Sequence, residues 1–153
     1  MTYAGFWKRF LAWIIDSIIL SVATVFLIVP ALALVGIGVF TTATSDEPST
    51  GIGFLIAALG AYFMAVLAAA IGGWLYFALM ESSERGATVG KMALGIRVTD
   101  LAGNKISFGK ATGRYFGKII SGLILYIGFI MAGFTEKKQA LHDMMAGCLV
   151  INK

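Results

Sequence analysis

"DSIILSVATVFLIVPALALVGIGVFTTATSD", residues 16–46, carries no charge between its first and last residue. The 29 uncharged residues in between exceed the roughly 20 that a membrane-crossing helix needs. Working outward, a second uncharged run covers Pro48 to Met80, 33 residues, and a third covers Ile119 to Thr135, 17 residues. Hydrophobic residues make up 59% of the chain and charged residues 13%, against about 25% charged in an ordinary soluble domain. A chain of 153 residues is too short to wrap two apolar helices of this length in protein. Lipid is therefore their solvent. The fold class that follows is an all-α membrane protein. It has two long transmembrane helices, a third short or re-entrant helical segment, and a small cytoplasmic β-hairpin that the C-terminal tail can extend to three strands.

The chain reads as a single membrane domain, residues 1–153. Its transmembrane segments are expected at about 8–39, 52–80 and 116–134. A polar stretch covers 81–115, and a C-terminal helix and strand cover 136–153. Pro30 is expected to kink the first segment or mark its outer end. A cleaved leader is not expected, because the first apolar run is about twice the length of a signal-peptide core and contains Asp16. The connection Thr41 to Thr50 carries Asp46 and Glu47, whereas Glu81 to Lys118 carries seven Lys and Arg against three acidic residues. Lys and Arg accumulate on the cytoplasmic side. The N-terminus and the 81–118 stretch are thus expected in the cytoplasm, with the acidic loop outside, in a multi-pass protein of the cell membrane.

Within the polar stretch, "GIRVTD" and "NKISF" alternate around "LAGN" and predict a hairpin of Gly95–Asp100 with Asn104–Phe108. "CLVI", residues 148–151, predicts a further strand, and Gly147 before it a cap for the helix carrying His142. Lys110, Arg114 and Lys118 precede the third segment at i, i+4 spacing, and Lys137 and Lys138 follow it. Positive flanks on both sides favour a re-entrant hairpin, broken near Gly122 or Gly128, over a tilted single span.

Several residues carry chemical information. Arg9 and Asp16 share one helix face two turns apart, and Asp16 is the deeper of the two. A charged Asp at mid-bilayer costs about 2.5–3.5 kcal/mol, so Asp16 is either an ion- or proton-binding carboxylate or a structural tie. Ala57, Ala61, Ala65, Ala69 and Gly73 form a small-residue row, read as a helix-packing seam within the chain or between copies. His142 and Asp143 are adjacent, and on a helix their side chains would diverge by about 100°, which argues against a catalytic dyad. No metal set is expected, because there is one histidine and one cysteine, Cys148. "GATVGK", residues 86–91, lacks the spacing and context of a phosphate loop. No cofactor, no nucleic-acid binding and no enzyme activity are expected.

The stretches "FWKRFLAWIID", "GATVGKMALGIRVTDLAGNKISFGKATGRYFGK" and "KKQALHDMMAGCLVI" together resemble the RDD family of small membrane proteins across nearly the whole chain. Cys148 departs from the Thr common at that place. The resemblance implies that Arg9, Asp16 and Asp143 are key residues; beside them, His142, Arg114 and Lys118 are expected as supporting residues of the charge network. It implies a transport role, cation/proton exchange included; two long helices and one short hairpin enclose no path, so such a role would require an oligomer. The alternative is a non-transporting scaffold or assembly factor for a membrane partner. The bilayer, a homo-oligomer or partner protein, and anionic lipid at the basic cytoplasmic face complete the expected partners. Arg9 is the expected partner of Asp143 by charge and depth.

Overall fold

The computed structural model describes residues 1–44, 47–124 and 127–153. Asp46 of the acidic connection and residues 125 and 126, in the third segment, lie outside the described residues. The elements in order are α1 (Phe6–Thr44), α2 (Pro48–Ser82), α3 (Val89–Ala93), β1 (Ile96–Asp100), α4 (Phe108–Leu123), α5 (Ile127–Ile130) with a 3-10 turn (Met131–Gly133), α6 (Leu141–Met145) and β2 (Cys148–Asn152). Two helices, α1 and α2, are long and apolar enough to cross a membrane. At about 1.5 Å per residue both exceed the roughly 30 Å hydrocarbon thickness. The helix assignment of α1 continues through Pro30, which therefore does not mark its end. The third segment is a bent pair, with Phe108–Leu123 and Ile127–Gly133 inclined by 118°.

Contacts divide the chain into two units. One comprises Met1–Ile18 with Trp74–Lys153, and the other comprises Ile19–Gly73. In the second, the less exposed positions of α1 are Thr24, Ile28, Ala31, Val35 and Gly38, and those of α2 are Leu55, Ala58, Tyr62, Ala65 and Ala69. Steps of three and four alternate, the 3.5-residue seam of packed antiparallel helices. Gly38 closes on Leu55, and Gly51 closes on the Thr42 backbone, where a side chain would collide. Within the single chain the expected small-residue row divides. Ala65, Ala69 and Gly73 are half-buried, but Ala57 and Ala61 are exposed. A strict four-residue step drifts by about 40° each time, so the row winds away from any one partner.

The first unit holds a small-residue core of Ala4, Ala12, Ala78, Ile96, Val98, Ile106, Ala111, Cys148 and Val150. Its sheet has two antiparallel strands, with Ile96 opposite Asn152 and Asp100 opposite Cys148. The partner of β1 is thus the C-terminal strand, not the expected Asn104–Phe108. The "LAGN" turn does form, with the Asn104 carbonyl accepting from Asp100 N and Asp100 Oδ1 accepting from Ala102 N and Asn104 N. Ser107 then caps α4, its hydroxyl accepting from Lys110 N. The helix takes up the residues that a second hairpin strand would need. Tyr3 bridges Ile151 beside this sheet. Gly147 follows α6 at φ +60°, as a helix-ending glycine should.

Candidate functional site

The site lies within the first unit. It is a buried charge cluster backed by a carboxylate cap. Arg9 and Asp16 come from α1, Glu81 from the end of α2, Lys91 from α3, Arg114 and Lys118 from α4, and His142 and Asp143 from α6. Ala111, Arg114, Gly117 and Ser121 form the buried face of α4. Gly117 admits α6, since a Cβ there would come within 3.0 Å of the His142 Cβ. Of the three basic residues expected on one face, Arg114 is buried, Lys118 half-buried and Lys110 exposed.

Arg114 is the centre of the cluster. Its Nη1 donates to Glu81 Oε2 at 2.5 Å, and its Nη2 and Nε donate to Asp143 Oδ1 at 2.5 and 3.1 Å. The second oxygen of Asp143 accepts from Arg9 Nη1 and, at 3.1 Å, from Ala140 N at the start of α6. Glu81 Oε1 accepts from Lys91 and lies 3.5 Å from Lys118 Nζ. Four cations thus surround two carboxylates that are 1% and 0% exposed. Such burial is tolerable only because each carboxylate is paired and hydrogen-bonded. Burial by itself would raise the Asp143 carboxyl, but Arg114 and Arg9 outweigh it and hold the group well below the usual carboxylate range. Burial pulls Lys91 down to about 8 against the opposing pull of Glu81.

The expected pairing of Arg9 with Asp143 is present, whereas Asp16 is held separately. Its Oδ1 accepts from Tyr76 Oη and Gly90 N, both at 2.8 Å, and its Oδ2 from Thr88 Oγ1 at 2.6 Å. Tyr76 Oη in turn accepts from Val89 N. Asp16 therefore supplies from α1 the cap that α3 lacks locally, because the Thr88 hydroxyl turns to Asp16 and caps no backbone N–H. Gly90 is required, since a Cβ would overlap the Ala12 carbonyl. "GATVGK" thus cradles a carboxylate of its own chain.

His142 lies closer to Asp143 than helical divergence predicts. Its Nε2 lies 3.4 Å from Asp143 Oδ1, although no hydrogen bond joins them. On the short α6 both side chains turn toward the α4 face, closer than ideal helical divergence predicts. Nδ1 lies 3.4 Å from Ser121 Oγ, and the ring packs on Phe129. Burial lowers His142 to about 3, so it is neutral at physiological pH. Cys148 is buried, and burial pushes its thiol up. Among the described residues no group of three or more His, Cys, Asp or Glu could hold a metal ion. Sequence reading passed over Glu81, Lys91, Thr88 and Tyr76. The first two look like ordinary boundary charges, and the last two lie 72 and 60 residues from the carboxylate they serve.

Two long apolar helices and a small unit closed by buried Arg–Asp pairing define an integral membrane protein of the RDD type. The chain belongs to the RDD family, which it matches over residues 3–147. It is 37% identical over 152 residues to the "Uncharacterized protein YxaI" of Bacillus subtilis (strain 168), covering 98% of this chain and 97% of that one. It is 29% identical over 157 residues to the "Uncharacterized membrane protein YteJ" of the same organism, covering 99% and 82%. It is 27% identical to the "Uncharacterized protein YckC", also of B. subtilis, covering 96% and 83%. No solved structure gives a significant match.

Proposed function

We propose that this chain is a non-enzymatic membrane scaffold, an RDD module that presents its helices to a membrane partner. One observation carries the reading. Every buried carboxylate of the site is already engaged, Asp16 by three neutral donors and Glu81 and Asp143 by cations. A carrier needs a carboxylate that loads and releases an ion or proton, and all three serve as ties between elements instead. Cation/proton exchange by a homo-oligomer is the second reading. It is favoured by Asp16 lining the cavity of the first unit and by its hydroxyl partners, which can reverse their donor roles on protonation. Both readings place the termini and the basic stretch in the cytoplasm.

The deciding experiment uses purified protein in liposomes with an internal pH dye, titrated with sodium, potassium and lithium. A scaffold gives no flux above protein-free liposomes. Asp16→Asn then stays folded, and Asp16→Ala loses stability, because the Gly90 N–H and two hydroxyls lose their acceptor at about 1–3 kcal/mol each. Cation-dependent flux abolished by Asp16→Asn at unchanged abundance would overturn the scaffold reading in favour of transport.

A further inference from the structure

The first unit contains a cavity of about 600 Å³. Arg9, Lys91, Arg114 and Lys118 line it, whereas their carboxylate partners Glu81 and Asp143 do not. Among the described residues the one carboxylate on the wall is Asp16, and its three donors are neutral. Among the described residues, four cations therefore face a space whose only anion is already occupied. Two of them are incompletely satisfied. Arg9 Nη2 is buried without an acceptor among the described residues. Lys118 makes one long approach to Glu81, at 3.5 Å, and otherwise lies over the Phe77 ring. A buried cationic donor left without an acceptor is costly, and an anionic oxygen would relieve it.

The rest of the wall is apolar, with Phe6, Phe10, Trp13, Phe77, Ile119 and Ile130. Trp13 is 54% exposed and Ile119 52% exposed, so this lining continues onto the lipid-facing surface. Aromatic residues at this end of a membrane helix sit at head-group level. The space is within the range of small-ligand pockets. A free inorganic anion would use the cations and leave the apolar wall empty, whereas a neutral lipid would do the reverse.

We infer that this cavity is a binding site for one anionic phospholipid, its phosphate held by Arg9 and Lys118 and the start of an acyl chain lying on Phe10, Phe77 and Ile119. The site does not depend on the scaffold reading, since a transporter could carry it equally. It differs from general attraction of anionic membranes to a basic face, which weakens when salt screens exposed charge.

The test uses the full chain in neutral detergent, with native mass spectrometry and thermal unfolding. Phosphatidylglycerol should bind at one per chain and raise the melting temperature saturably, and both effects should persist in 0.5 M sodium chloride. Phosphatidylcholine and glycerol phosphate should do neither. Lys118→Gln should weaken phosphatidylglycerol binding by about fivefold. Ile119→Trp, which fills the apolar part, should weaken it while leaving the lipid-free melting temperature unchanged. Equal effects of phosphatidylcholine would overturn the charge argument. Equal effects of glycerol phosphate would reduce the site to a soluble-anion site, and loss of binding in salt would reduce it to surface attraction. Either outcome defeats the proposal.

Discussion

Truncating Arg114 would leave Glu81 and Asp143 buried, each short of a principal cation. Removing one partner of a buried charge set costs about 3–5 kcal/mol. Arg114→Met should therefore lower the melting temperature in detergent sharply and reduce membrane abundance. Arg114→Lys should recover little, because one ammonium does not reproduce a fork that spans two carboxylates. A melting temperature within a degree of wild type for Arg114→Met would dismiss the cluster as the tie of this unit. Acid should attack the same place. The folded Asp143 carboxyl lies below its ordinary value and His142 at about 3 lies below 6.5. Below pH 6.5 the unfolded chain takes up a proton that folded His142 refuses, and deeper in acid the same holds for Asp143. Stability is thus greatest above pH 6.5 and falls with pH, the histidine alone contributing about 1.4 kcal/mol per unit. Melting scans from pH 7 to 4 should show a steady fall, shallower in His142→Gln; parallel curves would refute the histidine part. Arg9, Asp16 and Asp143 were legible because charge stands out in or beside apolar runs. Glu81 was not, since a charge at the end of a span looks solvated until Arg114 arrives from 33 residues away.

At the scale of elements, the long helices were legible because length and hydropathy depend on no distant contact. The sheet was half legible. The alternation at Ile96–Asp100 was correct, but the choice between two candidate partners rested on what Ser107 does, and a helix cap beat a strand of equal pattern. As a seam within the chain, the alanine row was half legible, for a geometrical reason. The eye finds alanines at every fourth residue, while two helices in contact follow 3.5. The correction is testable with a matched pair. Ala58 is 4% exposed and its neighbour Ala57 is exposed. Ala58→Leu should overpack the seam and cost about 1–3 kcal/mol, whereas Ala57→Leu, facing lipid, should leave the melting temperature unchanged. Equal effects would mean that the 3.5-residue seam is not the contact.

For the whole molecule, the informative fact is which chain ends share one unit. Ala4 N donates to Val150 O and Asn152 N to Thr2 O, so the residues before α1 are bonded to the strand that ends the chain. That strand also pairs with β1, which follows α2. We propose on this basis that the start of the chain, the stretch after α2 and the tail share one side of the bilayer. The helices α1 and α2, each long enough to cross, would meet this condition by crossing out and back. The third segment would meet it by returning to the side it left. Its 118° bend and the close approach of Gly128 to Ser121, which leaves no room for a Cβ, agree with a return. On the Lys and Arg bias we propose that this shared side is the cytoplasm. A reporter active only in the cytoplasm should therefore work when fused after Lys153 and also when inserted at the exposed Leu101–Ala102 turn, and a periplasmic reporter should be silent at both. Inserted between Glu47 and Pro48, the pattern should reverse. Periplasmic activity at Lys153 alone would require a full third crossing and would separate the tail from Thr2 and Ala4. Membrane-impermeant maleimide labelling gives the same answer without a bulky fusion. A cysteine replacing Lys153 in a Cys148→Ser background should stay unlabelled in intact cells and label once the membrane is opened.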